Sequence, residues 1–397
     1  MQIAILTYLY PEMIDYLYKL FPSLHELSYL DQKRVIDNHI SIWASGWEKA
    51  LGERNIPVLT IPTNTPLFLS KWAEENKFPD SNRVQIILEM LKRFLPDVLF
   101  YDLYDVDLLI QIKANIPSIK LIALWKGSPP VDMTIFKHVD LTISCAPEEV
   151  RHLKELGMKA EHLHHAFNKN ILDNQKLTKK QYDVIFIGQI FKSIGFHINR
   201  DRVLNKLVKE LNLIIFSRAY ELSLYDFTLH FSKKAILTLL LPFYFSANKV
   251  SGNYKSELEK SLTYPLTPYS IRLKKYLRAP VYGKIMYDVI KAAKVVLNIH
   301  ADSSPIYASN MRLFETTGIG SCLLTDWKIN INELFKEDAE VVTFRSEKDC
   351  VDKAKWLLSH DEERNNIALA GQRRVFSSHL YEHRLPEFLN ITKKHLK

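Results

Sequence analysis

The first half of the chain alternates short apolar runs with amphipathic stretches. Apolar runs with the length and β-branched content of buried strands lie at 3–7, 56–61, 97–101, 119–124 and 140–145. Between these runs the apolar positions recur at helical spacing, for example from Val84 to Phe94. Because strands that alternate with helices build βαβ units, the pattern predicts an α/β domain with a mostly parallel sheet.

The most informative stretch lies in the second half. Residues 294–299 form an apolar run typical of a buried strand, and a polar loop follows. Asn310 is a residue type suited to the N-cap of a short helix, Gly318 and Gly320 end that helix, and 321–325 has the pattern of the next strand. Polar residues therefore collect at the carboxyl end of a strand, where α/β sheets bind ligands and a helix N-terminus favours a diphosphate.

A polar stretch at 168–180, with only three apolar residues, separates the two halves. Since 397 residues exceed the usual size of one core, we predict two α/β domains, at 1–172 and 179–375. A helical stretch at 376–397, interrupted by Pro386, follows the second domain.

The sequence argues against several kinds of cofactor site. Thr-Tyr-Leu-Tyr-Pro follows the first strand in place of a Gly-x-Gly-x-x-Gly turn, so we do not expect NAD or FAD. The three cysteines are too far apart for a disulfide framework or a zinc ligand set, which fits a reducing cytosol. His162 and His164 would point to one face of a strand, but no Cys or carboxylate nearby completes a metal set. We therefore expect no bound metal or cofactor.

The charge indicates anionic partners. A net charge of +8 and a pI near 9.0 suit nucleotide sugars, lipid phosphates or nucleic acid, and the absence of zinc-finger or RNP-type motifs argues against nucleic acid. Met1 leads directly into a strand without a signal peptide, and no apolar stretch reaches the roughly 20 residues that span a bilayer. We expect a cytoplasmic protein.

Chemically capable groups follow two predicted strands of the first half. Asp102 and Asp105 come after the third strand, and either could act as a general base in a cleft, although an Asp at a strand end is often only a helix cap. His165, from the Glu161-His-Leu-His-His segment, is a further candidate base.

The second half offers groups for a phosphorylated ligand. Gly188 permits close backbone approach at a strand end, and Lys192 and Arg200 can meet phosphate unless they belong to a solvated basic loop. Arg312 and Glu315 are three residues apart and share one helix face. They form either a surface ion pair worth about 0 to 1 kcal/mol or a site in which Arg312 meets phosphate and Glu315 accepts hydrogen bonds from a ribose diol.

These residues resemble a known family. Asn310, Arg312, Phe314 and Glu315, with the two glycines and a following Thr-Asp, resemble the donor-site segment of the CgeB-like (spore maturation protein type) group-1 glycosyltransferases of the GT-B fold. The likeness extends to further segments at 182–188, 282–290, 334–344 and 362–384. It is good from about residue 181 to 390 and only architectural before that, and the aromatic-rich region at 217–282 departs from it.

The resemblance implies two Rossmann-like, doubly wound domains facing a cleft: an N-terminal acceptor domain and a C-terminal donor domain, with the last helix crossing back to the first. It implies a metal-independent glycosyltransferase (hexosyltransferase type) that moves a sugar from a nucleotide-diphosphate sugar, a UDP-sugar by preference, to a hydroxyl of a glycan, lipid-linked or protein acceptor in surface glycan or glycoconjugate synthesis. The implied donor site comprises Gly188, Lys192, Arg200, Tyr282, Asn298, His300, Asn310, Arg312 and Glu315. Tyr307 stands where many group-1 enzymes carry an earlier Glu, so the resemblance assigns neither the contact to the donor sugar nor retention of configuration.

Other interpretations remain open at this point. A GT-B-fold nucleotide-sugar epimerase would share the donor site, and a non-catalytic nucleotide-sugar binding protein would keep Glu315 without any base. The apolar run at 235–245 and the seven basic residues between 270 and 294 also suggest peripheral contact of 235–294 with the cytoplasmic face of an anionic membrane. A buried helix beside a solvated basic segment is the alternative.

Overall fold

Two parallel six-stranded sheets organise the protein. The computed structural model describes residues 1–40, 42–127, 133–174, 179–192, 197–246 and 266–396. The first sheet contains β1 (Ile3–Thr7), β2 (Val58–Pro62), β3 (Val98–Asp102), β4 (Leu121–Lys126), β5 (Leu141–Ser144) and β6 (Ala160–His162). The second contains β7 (Tyr182–Ile187), β8 (Leu213–Phe216), β9 (Leu277–Arg278), β10 (Ala293–Asn298), β11 (Cys322–Asp326) and β12 (Val342–Phe344). Most of their apolar side chains are buried, as expected for parallel sheets covered on both faces.

Each sheet is doubly wound. The strand order is β2-β1-β3-β4-β5-β6 in the first sheet and β12-β11-β10-β7-β8-β9 in the second. The direction of winding therefore reverses between β1 and β3, where Thr7 pairs with Asp102, and between β7 and β10. At such a reversal the flanking loops diverge and leave a crevice at the carboxyl ends of the strands, the usual ligand site of open α/β sheets.

Helices cover both sheets. In the first half they are α1 (Pro11–Leu20), α2 (Tyr29–His39), α3 (Ile42–Gly52), α4 (Pro66–Glu75), α5 (Arg83–Phe94), α6 (Val106–Asn115) and α7 (Pro147–Glu155). The described helices of the second half are α8 (Ile198–Leu207), α9 (Leu224–Ser246), α10 (Gly283–Lys291), α11 (Arg312–Gly318), α12 (Ile331–Leu334), α13 (Glu347–Ser359), α14 (Asp361–Ser378) and α15 (Tyr381–His395).

The last helix packs on the first half. Tyr381 and Phe388 of α15 belong to the same buried cluster as Trp47 of α3 and Phe100 of β3. Gly46 makes this approach possible, because a Cβ there would lie 2.4 Å from the Tyr381 ring. Helix α15 therefore fastens the C-terminal end of the chain to the N-terminal sheet.

Two local predictions were wrong. The helix expected to start at Asn310 has Met311 as its N-cap residue and begins at Arg312, because the Asn310 side chain pairs with Asn298 instead of capping. Pro386 does not interrupt its helix; the break falls between α14 and α15, and Pro386 lies inside α15. The part of the predicted membrane segment at 247–265 lies outside the described residues, as does 175–178 of the predicted linker.

Candidate active site

Asp102 stands at the winding reversal of the first sheet. It is the last residue of β3, and its carboxylate accepts a hydrogen bond of 3.2 Å from the Thr7 hydroxyl at the end of β1. Burial raises the pKa of Asp102 to about 7, and the hydrogen bond from Thr7 only partly offsets this. A carboxylate with a pKa near neutrality suits a general base, which must be ionised yet basic enough to take a proton.

The other two predicted bases have different surroundings. Asp105 caps α6 by accepting from the Leu108 N–H at 3.0 Å, and its second oxygen meets Arg83 at 3.0 Å. Asp105 thus serves as a helix cap, the role that is common for an Asp at a strand end. His165 is buried with its ring against Trp125, and burial lowers its pKa to about 3, so it would be a weak base.

Two asparagines shape the loop after β10. The Asn310 amide donates to the Asn298 side-chain oxygen at 2.7 Å, and the Asn298 amide donates to the Thr325 hydroxyl at 2.9 Å. These contacts join the ends of β10 and β11 to the start of α11. Because their side-chain amides are engaged in these hydrogen bonds, the main role of Asn298 and Asn310 is to hold the loop in place.

His300 and Asp326 form a buried pair at the same strand ends. Asp326 Oδ1 lies 2.7 Å from His300 Nδ1 and also accepts from the His300 backbone N–H at 3.0 Å. Lys328 Nζ lies 3.3 Å from Asp326 Oδ2. Burial alone would raise the pKa of Asp326, but the His300 ring and Lys328 hold it well below its ordinary value.

Glu315 is buried, not on the surface. Its Oε1 accepts from the Tyr287 hydroxyl at 3.0 Å, and its Oε2 lies 2.8 Å from Arg312 Nη1. The carboxylate is 6% exposed, so the surface ion pair does not describe this contact. A carboxylate has about four lone-pair directions, so these two partners leave capacity for a ligand diol.

Arg200 and Lys192 differ in what they contact. Arg200 donates to the backbone oxygens of Ile299 at 2.7 Å and Gln189 at 3.0 Å, which ties the loop after β7 to the loop after β10. Burial lowers the pKa of Arg200 to about 10. Lys192 instead lies 3.9 Å from Asp201 and 3.4 Å from the Thr267 hydroxyl. Arg200 thus lies at the winding reversal beside Gly188, whereas Lys192 is turned toward the 266–270 segment.

Side chains from the two halves of the chain also contact one another. The rings of Tyr10 and Tyr282 lie 5.7 Å apart, and Arg218 pairs with Glu12 at 2.8 Å. Burial raises the pKa of the Tyr381 hydroxyl, and the charges of Glu315 and Asp102 raise it further. Tyr381 of α15 is therefore within electrostatic range of both carboxylates.

Several buried polar atoms of predicted site residues have no hydrogen-bond partner within the described part of the chain. They include Tyr282 Oη, His300 Nε2 and Arg312 Nε, all at predicted donor-site residues. An unsatisfied buried donor or acceptor costs about 1 to 3 kcal/mol. Such a group of atoms is expected where a polar ligand completes the site.

The sequence prediction missed Tyr10, Tyr381 and Asp326. Tyr10 directly follows the first strand, and Asp326 ends the conspicuous 321–326 segment, so their positions at strand ends were a usable signal. Tyr381 had none, because its role depends on where α15 packs. Over the described ranges, no group of three or more His, Cys, Asp or Glu side chains is arranged to hold a metal ion.

Comparison with known proteins supplies the family context. Residues 245–390 match a family described as glycosyl transferase-like. That segment contains the whole cluster from Tyr282 to Asp326. No curated protein matches the chain.

Solved structures with the same architecture include a glycosyltransferase from Rickettsia africae, with 10% identity, a TM-score of 0.53, and coverage of 100% of this chain and 98% of that one. Sucrose-phosphate synthase from Thermosynechococcus elongatus also has 10% identity and a TM-score of 0.53, with coverage of 99% of each chain. The likeness confirms the predicted GT-B fold. The chain thus combines a GT-B fold with a glycosyl transferase-like segment in its second half.

Proposed function

We propose that this protein transfers a sugar from a nucleoside diphosphate sugar to an acceptor hydroxyl, as a member of the CgeB-like type. The observation that carries the proposal is the buried Glu315 carboxylate, which lies 2.8 Å from Arg312 Nη1 on the helix that follows β10 at the winding reversal of the second sheet. The family match over 245–390 supports the class of reaction.

In the proposed reaction the acceptor oxygen bonds to the anomeric carbon, and the bond from that carbon to the diphosphate oxygen breaks. The nucleoside diphosphate leaves with the electron pair, and Asp102 takes the acceptor proton. A pKa of about 7 leaves a substantial fraction of Asp102 ionised at neutral pH. This favours an enzyme over a binding protein that has no base.

On the donor side, Glu315 is proposed to hold the ribose, and Arg312 and Arg200 to neutralise the diphosphate. Arginine suits this role because its charge persists and its donors match phosphate oxygens. We propose a metal-independent hexosyltransferase that uses a UDP-sugar and acts in surface glycan or glycoconjugate synthesis. Helix α11 has only seven residues, so side chains rather than its dipole carry the charge in this proposal.

A thermal-shift screen across UDP-, GDP-, dTDP- and CMP-linked sugars tests donor binding, because a ligand of the native state raises the apparent melting temperature. Glu315→Gln should weaken binding of the hit. Tyr287→Phe is the matched control, because it removes a partner of Glu315 but leaves the carboxylate. Transfer of the sugar to an acceptor supports the proposal. Isomerisation of the donor in the absence of acceptor indicates an epimerase, and tight binding without turnover indicates a binding protein. Unchanged affinity in Glu315→Gln removes the ribose assignment.

We further propose that the second domain contacts an anionic membrane surface on the cytoplasmic side. Helix α9 carries an exposed apolar stripe at Tyr225, Leu229, Ile236 and Leu239, which are 71%, 54%, 56% and 72% exposed. Their spacing places them on one helix face. Lys274 donates to the Leu222 carbonyl and so joins the basic segment to the start of α9. The exposed basic residues of this segment therefore lie close to α9: Arg272, Lys275 and Arg278.

Apolar side chains flanked by basic residues bind anionic bilayers by combining burial with electrostatic attraction. The test is co-sedimentation with vesicles of phosphatidylcholine alone or with phosphatidylglycerol. We expect salt-sensitive binding to the anionic vesicles that Leu229→Glu with Leu239→Glu abolishes. Leu30→Glu and Leu369→Glu, at 62% and 50% exposed positions on other helices, are matched controls and should bind normally. Equal losses in both pairs would contradict the proposal. Among the helices of the described ranges, none could cross a membrane.

A further inference from the structure

Two atoms of His300 contact the same carboxylate oxygen. Its backbone N–H and its Nδ1 both contact Asp326 Oδ1, at 3.0 and 2.7 Å. The residue is 2% exposed, and its Nε2 is buried with no partner in the described part of the chain. One edge of the ring is thus fixed by a carboxylate, and the nitrogen on the other edge is unpaired within the described residues.

The carboxylate that fixes the ring is itself fixed. Lys328 Nζ lies 3.3 Å from Asp326 Oδ2 and donates to the backbone oxygens of Ser304 at 3.0 Å and Pro305 at 2.9 Å. Lys328 therefore ties Asp326 to the loop that leads from β10 to α11. Arg200, which donates to the Ile299 oxygen at 2.7 Å, fixes the backbone directly before His300.

We propose that Asp326 is a positioning residue that holds His300 with its Nε2–H directed at the diphosphate of the donor. The inference rests on the proposed function and adds a residue pair to it. In the imidazolium form Nδ1–H donates to Asp326 and Nε2–H to a phosphate oxygen.

The surrounding charges favour a phosphate over a sugar hydroxyl as the partner of Nε2. Asp326 is paired with Lys328, so the charge of this carboxylate is balanced without the ring. Arg200 and a protonated His300 then provide the positive charge that a diphosphate needs. A hydrogen-bond donor that is fixed in place before the ligand arrives can stabilise the charge that builds on the leaving group. The protein then need not reorganise during the reaction.

The test follows the ring nitrogens by NMR of protein labelled with ¹⁵N-histidine, assigned with His300→Gln. Inorganic pyrophosphate and UDP should each move the His300 Nε2 signal to the protonated position, and uridine should not. In Asp326→Asn the Nε2 signal should lose its response. Asp302→Asn is the matched control, because Asp302 lies in the same loop but caps α8 by accepting from the Ile198 N–H at 2.7 Å.

Kinetics separate positioning from mere structural support. Asp326→Asn should lower kcat/KM for the donor by on the order of 10- to 100-fold, the effect typical of removing a group that orients a metal-binding imidazole. In the His300→Gln background the same change should have little further effect, because the two residues act as one unit. Additive losses would overturn the inference, since they would show that Asp326 acts without the ring.

The outcomes also distinguish this inference from the function on which it rests. If pyrophosphate and UDP bind but the His300 nitrogens do not respond, the inference fails and the proposed transfer stands. A response to UDP-sugar alone would assign Nε2 to the sugar and likewise overturn the diphosphate contact. If no nucleoside diphosphate binds at all, both proposals fail.

Discussion

Replacing Asp102 by Asn should make the protein more stable at alkaline pH while removing its activity. The folded protein raises the pKa of Asp102 from 3.8 to about 7, so folding disfavours the ionised form. A rise of about three units corresponds to roughly 4 kcal/mol, since each unit is worth about 1.4 kcal/mol. This is an upper value, because the side chain retains some contact with solvent.

The sign of the pH dependence follows from where the proton is held. Below pH 3.8 the carboxyl is protonated in both states and costs nothing. As pH rises toward about 7 the unfolded state ionises first, so the wild type loses stability across this window. Asparagine has no charge to bury. Relative to the wild type, Asp102→Asn should therefore gain about 2 to 3 kcal/mol between pH 5 and pH 8.

Urea unfolding of both proteins at pH 5 and pH 8 measures this gain. Asp97, which directly precedes the same strand, provides a control whose replacement should destabilise the protein. A hydrogen bond from Lys120 and one from the Gln2 N–H lower the pKa of Asp97, so it is ionised throughout the window. Asp97→Asn should destabilise the protein equally at both pH values.

Activity should change in the opposite direction to stability. Loss of a general base typically costs 10²- to 10⁴-fold in rate, so Asp102→Asn should lower kcat by about that factor. If the variant gains no stability between pH 5 and pH 8, Asp102 is not the buried acid described above. If it gains stability but keeps its activity, the base lies elsewhere.

Three further changes have definite expected outcomes. Glu315→Gln should weaken nucleotide binding by about tenfold in calorimetry, because it removes a charged acceptor for the ribose diol; an unchanged Kd would contradict this. Gly318→Ala should cost about 1 to 3 kcal/mol in thermal unfolding, since its Cβ would lie 2.5 Å from a buried aromatic ring, whereas Gly52→Ala, with open space around it, should be neutral or slightly stabilising. Thr7→Val removes the hydrogen bond that lowers the pKa of Asp102, so the acidic limb of the kcat/KM profile should move up by about 0.5 to 1 pH unit; a downward shift would refute it.

The sequence by itself determined the fold class and most strands, because parallel strands are short, apolar and bounded by polar loops. The first strand has the predicted bounds, Ile3–Thr7, and the others differ by a few residues at each end. Glu315 and Arg312 could be singled out as a pair, since helical spacing is a local property.

The tertiary structure decided what these residues contact. Strand order places Asp102 at a winding reversal and leaves Asp105 as the cap of α6, yet the two are indistinguishable in sequence. The return of α15 brings Tyr381 within electrostatic range of both Asp102 and Glu315, although these residues are far apart along the chain. Contacts of this kind depend on packing between distant segments, and hydrophobic periodicity, which reports only which face of an element is buried, does not encode them.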